Sequence, residues 1–235
     1  MSAERAAREL SAPVEDYLKT IYELEAEHGA AGTNEIAAAL RIAPPSVSGM
    51  LRRLSTQGLV THAPYKGVHL TRDGKRAALR TIRRHRVIEA YLTQALGYAW
   101  DRVHDEAERL EHAASDELID RMAAAIGEPA TDPHGAPIPS RDGTLTAEPE
   151  LLTLAELADG VAAQIARVGD RDGERLRYLA TLGISIGTEV EVVSREPYDG
   201  PITLRIGSRR RVIGPELARH ILVTRAPHKR SPRRA

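Results

Sequence analysis

The chain has 235 residues, of which 42% are hydrophobic and 28% charged, the balance of a soluble globular protein with a real core and two or three units. Its 33 basic and 33 acidic residues cancel, so net charge alone argues neither for nor against nucleic acid. The absence of cysteine excludes disulfides, thiolate metal sites and cysteine nucleophiles; with no apolar run of membrane-spanning length and no signal-like start, a reducing cytoplasm and no membrane partner are expected.

In chain order, residues 1–11 read as a short charged arm. Val14, Tyr17, Leu18, Ile21 and Leu24 then recur at helical spacing from Pro13 to about His28, with Pro13 suited to a first turn. Asp16, beside Tyr17, reads on its own as a first-turn acid favoured by the helix dipole. Gly29 and Gly32 break this helix, and Thr33 is the expected N-cap of a short one, Asn34 to Leu40. A third helix follows Pro44-Pro45-Ser46 and stops at Gly58, with Val47, Met50, Leu51 and Leu54 inward and Ser46, Ser48, Gly49, Arg52 and Arg53 outward. Leu59-Val60 to Val68-Leu70, around Tyr65-Lys66-Gly67, reads as a β-hairpin. Three helices and a hairpin in this order are the order of a winged helix-turn-helix, whose longer second helix enters the major groove.

Thr71 caps a long helix to about Leu96 that carries His85 and Glu89 four residues apart, a spacing that suits two ligands of one ion and equally an ordinary His–Glu pair. From Arg41 to Arg86 there are eleven bases (Arg41, Arg52, Arg53, Lys66, Arg72, Lys75, Arg76, Arg80, Arg83, Arg84, Arg86) against Asp73 alone. From Asp101 to Asp120 the sign reverses, which suggests separate surfaces for an anionic partner and a cation. Gly97 ends the long helix, and a central helix is expected to run on to about Ile126. Within it Val103-His104-Asp105-Glu106-Ala107-Glu108-Arg109-Leu110-Glu111-His112 places His104, Glu108, Glu111 and His112 inside an arc of about 100°. Val103, Ala107, Leu110 and Ala114 form a neighbouring apolar stripe. Two imidazoles and two carboxylates at the edge of a buried face suit a divalent cation; a solvated acidic face with incidental histidines is the alternative for this stretch taken alone.

Gly127 to Pro149, rich in Pro, Gly, Asp and Thr, reads as a linker. Beyond it Val161–Val168 reads as a strand, Glu174–Leu182 as a helix ending at Gly183, and Glu189–Val193, Ile202–Ile206 and Arg211–Ile213 as strands turning at Tyr198-Asp199-Gly200 and Gly207-Ser208. A run of short strands suggests a small β-barrel. The basic stretch from Ala226 to Ala235 reads as a loose tail.

In these residues the chain resembles the DtxR/MntR family of metal-dependent transcriptional repressors. The matching stretches are Val14-Glu15-Asp16-Tyr17-Leu18-Lys19-Thr20-Ile21-Tyr22-Glu23-Leu24, Pro45-Ser46-Val47-Ser48 with Gln57-Gly58-Leu59-Val60, and Arg84-His85-Arg86. They continue through Val103-His104-Asp105-Glu106-Ala107, Glu111-His112 and Gly135-Ala136-Pro137-Ile138-Pro139, in order and at family spacing. The segment Leu154 to Val223 looks like the SH3-like, FeoA-type domain of the longer members.

The resemblance implies a mainly α fold with small β parts: a winged helix-turn-helix DNA-binding domain (1–72), a helical metal-binding and dimerisation domain ending in the linker (73–146), a C-terminal SH3-like β-barrel (147–226) and the tail (227–235). It implies a homodimer on double-stranded palindromic operator DNA and no enzyme activity. One metal centre would use Asp16, Glu108, Glu111 and His112, and a second His85, Glu89 and His104, with Asp172 as the counterpart of a ligand the SH3-like domain sometimes lends. Iron sensors of the family carry Met and Cys where this chain has Asp16 and Glu108. Oxygen in place of soft sulfur suits Mn²⁺, with Fe²⁺ second. Lys19 stands where manganese sensors commonly have a further acidic ligand, which puts their paired-metal arrangement in question. Pro45, Ser46 and Ser48 would lie near base edges and Arg53 and Lys66 near phosphate, with much of the specificity in DNA shape. The rival readings are a winged-helix regulator whose metal site is structural, a metal-buffering protein, which leaves the basic helix-turn-helix unexplained, and a metallohydrolase. The last has against it the absence of H-E-x-x-H, a Ser nucleophile motif and a Gly-rich phosphate loop.

Overall fold

A computed structural model describes residues 10–63, 67–146, 149–170 and 172–225. The chain divides into two compact units, Met1–Ile88 with Glu108–Met122 and Ile138–Leu145, and Glu89–Ala107 with Ala123–Pro137 and Thr146–Ala235. The helical segment 73–146 contributes to both.

In the first unit Pro13 sits in the opening turn of α1 (Ala12–His28), and Gly29 ends it in the left-handed region, its amide returning to Glu25 O. α2 (Thr33–Leu40) is capped one residue before the predicted Thr33: the Gly32 amide donates to the Glu35 carboxylate at 2.8 Å, so the first-turn acid does the capping. α3 (Pro44–Thr56) buries Val47, Leu51 and Leu54 against Val14, Tyr17, Leu18 and Ile21 of α1 and Ile36 and Ala37 of α2. β1 (Val60–Ala63) and β2 (Gly67–Leu70) pair antiparallel, Val60 opposite Leu70, and close this core with Val60 and Val68. The predicted contact residue Lys66 lies outside the described residues. α4 (Arg72–Leu96) starts where predicted, Thr71 Oγ1 accepting the Gly74 amide at 3.1 Å. Glycine is required there, because a Cβ at position 74 would stand 1.9 Å from the Leu59 carbonyl oxygen.

The central helix differs from its prediction. It is two helices, α5 (Val103–Leu110) and α6 (Asp116–Ala125). After α5 the amides of Ala113 and Ala114 both turn back to Leu110 O, and Ser115 Oγ accepts the Leu118 amide to start a new helix. Glu111 and His112 therefore stand on a turn. Of the predicted apolar stripe only Val103 and Ala107 are buried; Leu110 is 39% exposed.

In the second unit β3 (Leu152–Thr153), β4 (Ala162–Val168), α7 (Gly173–Leu182), β5 (Glu189–Arg195), β6 (Ile202–Ile206), β7 (Arg209–Ile213), α8 (Pro215–Arg219) and β8 (Ile221–Arg225) follow in order. The strands form one six-stranded antiparallel sheet in the order β3-β8-β4-β5-β6-β7, with register shifts at Ile165/Arg167 and Val192/Ser194. Inward residues at period two (Ala163 and Ile165, Val190 and Val192, Ile202 and Leu204, Ile221 and Val223) pack with Leu154, Leu157 and the α7 pair Leu176 and Leu179. The sequence reading missed β3, α8 and β8. The tail from Ala226 lies outside the described residues.

The predicted linker is also more than a tether. Asp132 Oδ1 accepts the amides of His134 and Ala136 at 2.8 and 2.9 Å, making a tight turn, and Asp132, His134 and Ala136 are all buried. Gly135 (φ +87°) lies so close to the sheet that a Cβ would stand 1.9 Å from Ala166 O. No helix of the described residues is long and apolar enough to cross a membrane.

Candidate metal centres

Helical periodicity gives α1 two working faces. Tyr17, Leu18 and Ile21 enter the helix-turn-helix core, while Glu15, Asp16 and Lys19 meet residues of the acidic segment. His112 Nε2 lies 2.8 Å from Asp16 Oδ1 and 3.5 Å from Glu111 Oε1. Its Nδ1 is 2.7 Å from Glu15 Oε2, and the other Glu15 oxygen accepts from Arg84 at 2.8 Å. Arg84 thus holds Glu15, and Glu15 holds the ring with Nε2 toward the two carboxylates, a common support for a metal-binding histidine. Ligand atoms of Asp16, Glu111 and His112 come within 4.8 Å of one another. Burial raises the pKa of Asp16, His112 opposes this, and Glu108 and Glu111 add to it. Burial alone would lower that of His112, but the Glu15 hydrogen bond and the charges of Asp16 and Glu111 raise it overall.

Beside this set lie His85, Glu108 and Glu111, again with ligand atoms within 4.8 Å. The Lys19 ammonium is among them, 2.5 Å from Glu108 Oε1, 3.2 and 3.1 Å from the two Glu111 oxygens and 3.2 Å from His85 Nδ1. His85 Nδ1 is also 2.5 Å from Glu111 Oε2. Burial would lower the Lys19 pKa, but Glu111 and Glu108 outweigh it and the shift is upward.

In the second unit Glu89 is fully buried and its Oε1 lies 3.4 Å from His104 Nδ1. These two belong to the set expected for a second centre; its third member, His85, stands one turn before Glu89 on α4, with its Nδ1 toward Glu111 and Lys19. Glu89 also gathers residues the sequence reading missed: Asp132, His134 and Asp170 bring ligand atoms within 4.8 Å of it and of one another. His134 Nε2 faces the Trp100 carbonyl at 2.7 Å, so this nitrogen carries a hydrogen and Nδ1 turns toward Glu89 Oε2 at 3.7 Å. Nδ1 is buried with no hydrogen-bond partner among the described residues, which fits a ligand atom of a cation site. Burial would lower the His134 pKa, but Glu89 first, then Asp132 and the Trp100 carbonyl, raise it to about 9. Asp172, the expected ligand from the third domain, is instead the N-cap of α7, accepting the Arg175 amide at 3.0 Å; Asp170 is the residue that joins the cluster. The one sequence signal was Asp132-Pro133-His134, two ligand types two apart within a stretch read as a linker. Both donor sets are imidazole and carboxylate without sulfur, the chemistry of a manganese or ferrous site.

On α3, Pro45, Ser46, Ser48 and Arg53 are exposed on the face away from the core, as the reading of a DNA-facing helix requires. The basic segment does not remain one surface. Arg80 pairs with Asp116, Arg83 with Asp120 at 3.1 Å, and Arg84 with Glu15 and Asp116, so part of it is neutralised by the acidic segment expected to lie apart.

A winged helix-turn-helix whose first helix lends Asp16 to a histidine–carboxylate cluster, on a chain that ends in a small antiparallel sheet, defines a class of metal-responsive DNA-binding regulators. The family description "Iron dependent repressor, N-terminal DNA binding domain" matches residues 9–68, its "metal binding and dimerisation domain" residues 71–140 and "FeoA domain" residues 152–225. The diphtheria toxin repressor of Corynebacterium diphtheriae is 33% identical over 206 residues, 84% of this chain and 90% of that one. The iron-dependent repressor IdeR of Mycobacterium tuberculosis is 37% identical over 131 residues, 56% of this chain and 57% of that one. A solved manganese-dependent transcriptional repressor in complex with manganese superposes with a TM-score of 0.83 at 39% identity, covering 91% of this chain and all of that one. ScaR with bound Cd²⁺ superposes with a TM-score of 0.80 at 30% identity, covering 91% and 99%. The chain belongs to the DtxR/MntR family of metal-dependent transcriptional repressors.

Proposed function

We propose that this chain is a Mn²⁺-activated repressor that binds palindromic operators as a homodimer and controls genes of metal uptake. The observation that carries the reading is the all-oxygen-and-imidazole set Asp16, Glu111 and His112, with Glu108 at its edge. Lacking sulfur, it suits a weakly binding, oxygen-preferring ion. The manganese-dependent repressor among the structural neighbours agrees with this; the iron-dependent repressor among the sequence relatives makes Fe²⁺ the alternative. A second centre would be held by Glu89, His134, Asp170 and Asp132, with His104 beside Glu89.

A bound divalent ion supplies positive charge that offsets the mutual repulsion of the buried carboxylates. The chain does the rest. Asp16 shares α1 with Tyr17, Leu18 and Ile21, which pack against α3, so the position of Asp16 and that of the reading helix are linked through one rigid element. Drawing Asp16 toward Glu111 and His112 sets α3 relative to the dimerisation segment and hence the spacing of the two reading helices of a dimer. The switch is as strong as the difference in metal affinity between the two arrangements. At the DNA, Pro45, Ser46 and Ser48 approach base edges and Arg53 and Lys66 meet phosphate. Small side chains at the bases leave much of the selectivity to shape and deformability.

The test is retention of host promoter fragments in chelator, in Mn²⁺ and in Fe²⁺ under anaerobic conditions. Retention that requires metal and is lost in Asp16→Ala and His112→Ala supports the gate and ranks the ions. Equal retention in chelator means a winged-helix regulator with a structural metal site.

A further inference from the structure

Lys19 is 8% exposed, and removing an ammonium from water costs several kcal/mol unless its partners compensate. Its partners are Glu108, Glu111 and His85, the same three residues whose ligand atoms lie close enough together to hold a cation, adjoining Asp16, Glu111 and His112. Glu111, completely buried, belongs to both sets and turns one oxygen toward each. The two sets therefore describe two neighbouring cation positions sharing one carboxylate, and the side chain of Lys19 ends in one of them.

We infer that the Lys19 ammonium is a tethered cation that fills the second position, so that this centre takes a single divalent ion, on Asp16, Glu111 and His112, and not a pair. The inference rests on the metal reading proposed above. Charge supports it. Asp16, Glu108 and Glu111 bring three negative charges, Glu15 being balanced by Arg84, and Lys19 cancels one of them, leaving the two that one divalent ion neutralises. A carboxylate at position 19 would raise the negative charge to four, which calls for two ions. The geometry agrees, since the ammonium lies within hydrogen-bond distance of both carboxylates, and a lysine head is a compact charge with three donors. Lys19 is thus a specificity-determining residue for ion number, acting through the ligands it touches.

The experiment counts Mn²⁺ bound per chain at equilibrium, from the free-ion EPR signal, in the full-length protein, with the bound ions examined for spin–spin coupling at low temperature. In the unaltered protein, the ion lost on Asp16→Ala is expected to be magnetically isolated, and Lys19→Glu is expected to bind one more ion per chain and to show an exchange-coupled pair. Coupling that is already present in the unaltered protein and disappears with Asp16→Ala would mean that Lys19 swings away to admit a second ion, overturning the inference and leaving the metal reading intact. A folded Lys19→Glu chain that keeps the first ion and gains none also overturns it. Binding indifferent to Asp16→Ala overturns the metal reading itself. Should Lys19→Glu fail to fold, the spectrum of the unaltered protein decides.

Discussion

On the proposed ligand set, an ion entering the Glu89–Asp132–His134–Asp170 cluster at neutral pH displaces a proton from His134. With the His134 pKa raised to about 9, about one molecule in a hundred carries a neutral imidazole at pH 7. The apparent affinity of this centre is therefore lowered about 100-fold there, or about 2.7 kcal/mol. Affinity should climb by about tenfold per pH unit from pH 7 toward 9 and then level off, as fewer molecules have a proton to lose. The assay is an anaerobic Mn²⁺ titration of the Asp16→Ala chain, which isolates this centre, at several pH values. A parallel count of released protons in weakly buffered indicator solution should approach about one per ion near pH 7. An affinity that stays flat between about pH 7 and 8.5, with no proton released, would refute the argument that His134 is both charged in the metal-free chain and a ligand in the loaded one.

The same raised pKa has a consequence for folding. The His134 contribution is fully present below the ordinary imidazole value of about 6.5 and is lost as pH rises through about 9, so urea midpoints of the metal-free chain should fall across that window, and less so in His134→Gln. Glu15→Ala frees the His112 ring that Glu15 holds at 2.7 Å, and should weaken Mn²⁺ binding at the first centre about 10- to 100-fold with secondary structure unchanged by circular dichroism. Gly135→Ala forces a Cβ toward Ala166 O at a positive φ and should destabilise the chain by more than about 1 kcal/mol in chemical denaturation. Arg53→Ala, exposed on α3, should reduce DNA affinity across all sequences alike and lower the salt dependence of binding by about one unit of slope.

The parts legible in the sequence were those governed by local rules. Apolar spacing placed α1, α3 and α4, Thr71 and Gly183 marked an end of a helix, and alternation found β4, β5 and β6. The unread parts depend on contacts between distant residues. The break at Glu111–Ser115 lies where helix propensity continues but Ser115 turns its hydroxyl to the backbone. Asp132, His134 and Asp170 occupy segments whose Pro, Gly and Asp content signals loops, and only tertiary packing brings them together around Glu89. Asp172 caps α7 while Asp170, two positions earlier, joins the cluster around Glu89, a division the sequence does not reveal because an acid just before a helix is equally a ligand and a cap. Lys19 was legible as a departure from the family's acidic pattern, but its three partners come from α4 and the residues around the α5 turn, separations of 66 to 92 positions that no local pattern reveals.

The double duty of α1 reaches beyond structure into the threshold of response. With Asp16 a ligand as proposed, one helix joins the ion site to the DNA-reading core, and influence along it must run both ways. By whatever factor the ion strengthens the grip on an operator, the operator strengthens the grip on the ion. Molecules seated on their promoters are then the last to surrender metal when the cellular pool falls, and unbound copies the first. On the proposed gate the free population empties first, and derepression sets in at a lower free-ion level than the one at which unbound copies lose their metal.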